Sequence, residues 1–224
     1  MTTPLPTRRR EPMQGLVLLA SIVALMWIVE VINSLDGYGL NSDGLHARNV
    51  GELWGIFTAP FLHASWPHLI DNTIPFVFMG VIIALRGAAR LALVTVIVIV
   101  IGGLGTWLIA PGGNAVTIGA SGVVFGYATY LLTRGLFNRS WLEILVGVVV
   151  GVVWGGALAS SLVPQHGVSW QAHASGAVAG VIAAAILARP RPSRSPGTGG
   201  AGAGQAQTLP NRALFLEPSD FRRP

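Results

Sequence analysis

Residues 170–188 read WQAHASGAVAGVIAAAILA, a run without a single Asp, Glu, Lys or Arg. An α-helix rises 1.5 Å per residue, and about 20 mostly apolar residues cross about 30 Å of hydrocarbon. Trp170–Ala188 therefore reads as a membrane span. Two features inside it go beyond the need to be apolar. His173 lies one turn from the Trp170 end, and an ionisable group at that depth is costly and marks function by default. Gly176 and Gly180 stand at small-xxx-small spacing, which lets a second helix approach closely.

Five more apolar runs precede this one: Gly15–Ile32, His68–Leu85, Leu91–Ala110, Ser121–Thr133 and Trp141–Val163. The composition agrees with a membrane core, since 52% of the 224 residues are hydrophobic and 10% charged, against roughly 25% charged in a soluble domain. Cysteine is absent, which excludes a disulfide framework and thiolate metal sites. Every basic side chain is arginine, and the net charge of +5 comes from clusters between apolar runs, not from one basic face of the kind that binds nucleic acid. The expected fold is an all-α bundle of six transmembrane helices.

The arginines set the orientation. Arg8, Arg9 and Arg10 precede the first span, Arg86 and Arg90 separate the second and third, Arg134 and Arg139 separate the fourth and fifth, and Arg189, Arg191 and Arg194 follow the sixth. The three opposite loops carry only Arg48. The positive-inside rule then places both termini in the cytoplasm, as expected of a multi-pass protein of a bacterial plasma membrane. The first span lacks a small-residue cleavage site and is followed by Asn33, so it is not read as a signal peptide.

Three segments follow from this reading: residues 1–13 as a cytoplasmic N-terminal stretch, 14–188 as the helical domain, and 189–224 as a disordered cytoplasmic tail. The tail is rich in proline and glycine and cannot bury enough apolar surface to order itself. Leu214, Phe215 and Leu216 form its one apolar patch. The outer loop from Asn33 to Pro67 is too long for a plain connection, and Trp54, Phe57, Phe61 and Trp66 suit short helices lying partly in the membrane interface.

Two further places put polar groups where apolar ones are expected. His68 and Asn72 are four residues apart and share a helix face at the outer end of the second span. Ser121 opens the fourth span within Gly119-Ala120-Ser121-Gly122. Counting from Arg134, Ser121 lies about 20 Å along the helix, and His173 lies about 24 Å from Arg189. Both land roughly 6–10 Å below the outer surface of a core about 30 Å thick. A fourth span this short requires Pro111-Gly112-Gly113-Asn114 to dip into the membrane to meet it.

Gly122 and Gly126 in the fourth span share the spacing of Gly176 and Gly180. If the two stripes face each other, Ser121 meets His173. Gly147, Gly151 and Gly155 in the fifth span have the same spacing, so the pattern alone does not choose the partner. Each feature also has a plain reading: glycines for packing, an intramembrane histidine or asparagine as a structural hydrogen-bonder. His46, His63 and His166 lie in or near outer loops, where His63 can organise the long one.

Taken together, Phe61-Leu62-His63-Ala64-Ser65-Trp66-Pro67-His68-Leu69-Ile70-Asp71-Asn72, Gly119-Ala120-Ser121-Gly122 and Ala172-His173-Ala174-Ser175-Gly176-Ala177-Val178-Ala179-Gly180 resemble the rhomboid intramembrane serine proteases. The resemblance spans Gly15–Ala188 and implies hydrolysis of peptide bonds in transmembrane substrates by a Ser121–His173 dyad. It further implies an oxyanion site of His68, Asn72 and the Ser121 N–H, with Gly119, Gly122 and Phe125 supporting the dyad and Gly126, Gly176 and Gly180 packing the helices. No metal or other cofactor is implied, and the oligomeric state stays open. Two positions depart from the family pattern. Trp54 is followed by Gly55 where many members have arginine, and Phe125 stands where tyrosine is usual, which keeps a ring to stack on an imidazole but loses the hydroxyl. A catalytically silent relative that binds transmembrane clients is the alternative. A transporter is disfavoured, because no second repeat half with matching broken helices is visible.

Overall fold

The computed structural model describes residues 7–165 and 167–188, with side chains from residue 11 onward. The N-terminal arginines, His166 and the proposed tail lie outside the described side chains. Six helical rods account for the six apolar runs. They are α1 (Thr7–Leu35), α3 (Trp66–Ala84), the continuous pair α4 (Ala88–Ile97) and α5 (Gly103–Ile109), α6 (Ser121–Asn138), α7 (Trp141–Ser160) and α8 (Trp170–Ile186). Four rods are long and apolar enough to cross a membrane: Glu11–Leu35, Trp66–Ala84, Ala88–Ile109 and Trp141–Ser160. Large apolar side chains such as Ile28 and Ile32 on α1 and Leu142, Leu145 and Val152 on α7 are exposed. Exposed apolar surface of this extent suits lipid and not water.

The sequence accounts for the helix boundaries. Ser65 caps α3 by accepting the His68 N–H at 3.3 Å, and Ser169 caps α8 by accepting the Ala172 N–H at 3.3 Å. Both caps satisfy donors that the first turn leaves without partners. Between α4 and α5, Val98–Gly102 widens into a π-helical turn. Here Gly102 lies close against Gly176 of α8 and Gly103 against Ile56 of the outer loop.

At the centre stands α6, whose Val123, Val124, Phe125, Tyr127, Ala128, Tyr130 and Leu131 are all buried. Its main partner is α8, and the two glycine stripes do face each other. A Cβ on Gly176 would run into the Gly122 carbonyl, and one on Gly180 into the Gly126 carbonyl and Thr129. Backbones this close leave room for nothing but hydrogen. Across the same seam Thr129 Oγ1 donates to the Ala177 carbonyl at 2.7 Å. The third stripe is used differently. Gly147 of α7 lies against the backbone of Leu131 and Leu132, whereas Gly155 has open space.

Two expectations are corrected. The helix that carries the fourth apolar run continues past Thr133: α6 runs 18 residues to Asn138, about 27 Å. With that length no dip by Pro111–Asn114 is needed, and residues 111–115 are exposed. Nor is Arg134 a loop residue. It is buried inside α6 at 3% exposure, with its Nε 3.8 Å from Glu143 of α7, while Arg86 reaches the same carboxylate at 2.6 Å. A charge that seals two helices together mimics a surface marker when only the sequence is read. The first helix starts ahead of its apolar run, at Thr7.

The outer loop folds as short pieces, with 3₁₀ turns at Gly39–Asp43, Val50–Glu52 and Ala59–Phe61 and a single helical turn, α2 (Gly55–Thr58). One two-residue strand, β1 (Leu45–His46), pairs antiparallel with β2 (Val116–Thr117), just ahead of α6. The loop is therefore bonded directly to the segment that carries Ser121.

Candidate active site

Ser121 is the first residue of α6, and Gly119 makes the turn into it with φ +111°, a conformation that glycine adopts at little cost. The Gly119 N–H donates to the Ala59 carbonyl at 2.8 Å. The Ala120 N–H donates to His63 Nε2 at 3.4 Å. Together with the β1–β2 pairing, these bonds hold the approach to Ser121 against the outer loop.

His173 projects from the first turn of α8 and is 5% exposed. Its Nε2 lies 2.9 Å from Ser121 Oγ, and its Nδ1 lies 2.8 Å from the carbonyl oxygen of Ser161. A carbonyl can only accept, so Nδ1 carries the ring proton. Nε2 then presents a lone pair, and the Ser121 hydroxyl donates to it. Phe125, one turn along α6, stacks on the imidazole with ring centroids 4.3 Å apart and planes 8° from parallel. The ring is thus held on both faces of its function: by stacking in one direction and by hydrogen bonds at both nitrogens.

The same reasoning fixes His68. The Ala64 N–H donates to His68 Nδ1 at 3.3 Å, so Nε2 bears the proton and is a donor. One turn along α3, Asn72 Nδ2 is buried and meets no acceptor among the described residues. An orphaned buried donor costs about 1–3 kcal/mol and calls for an explanation. Both donors face the gap beside Gly119. A Cβ at that residue would stand 2.9 Å from His68 Nε2 and 3.4 Å from Asn72 Nδ2. Ser121 follows two residues later as the first residue of α6, where backbone N–H groups lack a partner within the helix. Two side-chain donors therefore meet at Gly119, two residues before the Ser121 hydroxyl that bonds to His173.

His63 lies outside the spans and is fully buried. Burial, reinforced by the neighbouring His68, pushes its imidazole down to about 4, so it stays neutral near pH 7 and keeps Nε2 free to accept from Ala120. Its ring meets His68 edge-on with centroids 5.1 Å apart.

The family model for the Rhomboid domain matches residues 50–190. The chain belongs to the rhomboid family. A Mycobacterium tuberculosis relative, described as an uncharacterized protein, is 43% identical to this rhomboid over 82% of the chain and 80% of its own length. A second, from Mycobacterium leprae and described in the same way, is 40% identical over 82% of the chain and 75% of its own. The chloroplastic rhomboid-like protein 11 of Arabidopsis thaliana is 34% identical over 59% of the chain and 51% of its own.

Within this rhomboid the structure also accounts for one departure from the family pattern. Gly55 packs against the backbone of Gly44 and Leu45, with an added Cβ only 3.0 Å from the Leu45 Cα, so no arginine fits there. Arg48 anchors the loop instead, donating to the carbonyls of Leu108 at 3.1 Å and Ala110 at 2.7 Å at the end of α5. Its role was legible only as the lone arginine of the outer loops. The Ser161 carbonyl gave no sequence signal at all, because a backbone group is common to every residue.

Proposed function

We propose that this rhomboid is an intramembrane serine endopeptidase that hydrolyses peptide bonds in transmembrane substrates near the outer face of the membrane. The observation that carries the reading is the 2.9 Å contact from His173 Nε2 to Ser121 Oγ, made by a ring whose other nitrogen is the protonated one. In the first step Ser121 Oγ attacks the scissile carbonyl carbon while its proton passes to Nε2. The carbonyl electron pair moves onto oxygen, where His68 Nε2–H, Asn72 Nδ2–H and the Ser121 N–H donate to the charge. The imidazolium then gives its proton to the leaving amine, which departs and leaves an acyl group on Ser121. Water, activated by the same Nε2, releases it.

The orphaned state of Asn72 fits this scheme, since a donor left unpaired in the resting site gains its partner only as the oxyanion forms. Substrates are single-pass helices able to unwind at their outer end, in a plasma membrane with both termini of the enzyme in the cytoplasm. A fluorophosphonate tests the reading. It should label Ser121 covalently and fail with Ser121→Ala. Absence of label in the folded, membrane-reconstituted protein, together with retained binding of a transmembrane client, would leave the silent client-binding relative as the answer.

A further inference from the structure

We propose that the backbone carbonyl of Ser161 is the positioning group of the Ser121–His173 pair, so that the outer end of α7 belongs to the proton-transfer apparatus. The proposal rests on the protease reading given above.

Triads of side chains hold the base histidine with a carboxylate at the nitrogen opposite the nucleophile. Here the carboxylates are elsewhere: Glu143 is engaged with Arg86 and Asn138, and Asp71 is exposed on α3. The position is taken by the Ser161 oxygen, 2.8 Å from His173 Nδ1. Ser161 is the residue after the last turn of α7, with its own N–H bonded to Ala157 at 3.2 Å. The last carbonyls of a helix have no partner within it and carry the negative end of its dipole. A carbonyl of that kind accepts the Nδ1 proton, fixes the tautomer that leaves Nε2 basic, and favours the charge that builds on the ring when Ser121 gives up its proton. Throughout the step the Nδ1 proton stays on Nδ1.

The mounting of α7 gives this bond its weight. The inner half of α7 is fastened to α6 by Gly147 against Leu131 and Leu132 and by Glu143, which accepts from Asn138 at 2.7 Å and pairs with Arg134. Further out, Val152 and Val153 are exposed, an added Cβ at Gly155 or Gly156 would meet open space, and Trp154 and Leu158 supply the packing against the core. Beyond this apolar packing, the Ser161–His173 bond is a polar tie that fixes the end of α7 directly to the base.

The test uses full-length protein in which Leu162 is replaced by its α-hydroxy acid. The resulting ester keeps every side chain and turns the Ser161 carbonyl into a weaker acceptor. It also deletes the Leu162 N–H, which donates to Ala159 at 3.2 Å. The matched control is the α-hydroxy acid of Val163, which deletes an equivalent bond to Ser160 at 3.2 Å and leaves the Ser161 carbonyl an amide. The ester at 162 should lower kcat about fivefold with KM unchanged. The ¹⁵N spectrum of His173 should shift from the Nδ1–H form towards the Nε2–H form. The ester at 163 should do neither. Unchanged kcat and an unchanged tautomer at 162, or equal effects at 162 and 163, would overturn the proposal. If the unmodified protein takes no phosphonate and cleaves nothing, the protease reading fails, while the tautomer measurement still decides whether Ser161 positions the ring.

Discussion

Adding one methyl group at Gly176 should separate the two halves of the site without touching either reacting residue. In Gly176→Ala the new Cβ would lie 2.8 Å from the Gly122 carbonyl carbon and 3.1 Å from its Cα, and nearer still to the carbonyl oxygen. Comfortable carbon contacts need about 3.5–4.0 Å, so α6 and α8 must part by on the order of 1 Å. All three obstructing atoms are backbone, and no side-chain rotation relieves them. Ser121 sits immediately before Gly122, and His173 one turn before Gly176, so the same displacement lengthens their 2.9 Å contact beyond hydrogen-bonding range. A misplacement of that size costs about 10² in rate, and overpacking costs about 1–3 kcal/mol of stability. Gly155→Ala serves as the control, because nothing lies within 4 Å of its Cβ and alanine favours a helix over glycine by about 0.5–1 kcal/mol. Both variants are to be measured for cleavage of a model transmembrane substrate and for Tm in the same detergent. Full activity and an unshifted Tm in Gly176→Ala would refute the close approach of α6 and α8 on which the site is built.

Asn72→Ala and His68→Ala should each slow turnover by about 10²–10³ with phosphonate labelling retained at a reduced rate, whereas His173→Ala should leave only trace activity because base and nucleophile act as a unit. Equal losses for His68→Ala and His173→Ala in folded protein would reverse the assigned roles. Acid should destabilise the fold through His63: its folded value of about 4 lies below the ordinary 6.5, so the unfolded chain binds the extra proton, and stability is full above pH 6.5, falls as the pH drops towards 4, and levels off below. Comparing Tm against pH for the wild type and His63→Gln should show this component missing from the variant, and parallel curves would exclude it. Single cysteines placed beside Arg86 and Arg139 should react only with reagents that reach the cytoplasm, and labelling from outside intact cells would invert the topology.

The polar intruders were readable in the sequence because an apolar background makes them conspicuous: Ser121, His173, His68 and Asn72 each break a run that composition alone would leave unbroken. The depth of Ser121 was counted from Arg134 as a surface marker, and that origin is lost because Arg134 is buried inside α6. Lateral neighbours were harder. Three glycine stripes offered the same spacing, and only the packed structure distinguishes Gly122 and Gly126, which face α8, from Gly147, which faces the other side of α6. Arg134 misled because charge pairing depends on a partner 9 positions away in another helix, Glu143. The π-helical turn at Val98–Gly102 gave no sequence signal, and it lies where Gly102 comes close to α8 and Gly103 to the outer loop.

The strand pair β1–β2, the Gly119 bond to Ala59 and the Ala120 bond to His63 share a property with consequences for biogenesis. All three join residues 116–120 to residues 45–63, across the whole of α3, α4 and α5. Helical rods form from neighbours in sequence and can settle into the bilayer one after another as they are made. Contacts between distant segments wait for loop closure and form slowly. Helix α6 can therefore be in place while the turn into its first residue, Ser121, is still unset. In this rhomboid the threading of the helices rests on contacts local in sequence and the setting of the turn at Gly119 and Ala120 on contacts between distant segments, so the two are separable in order.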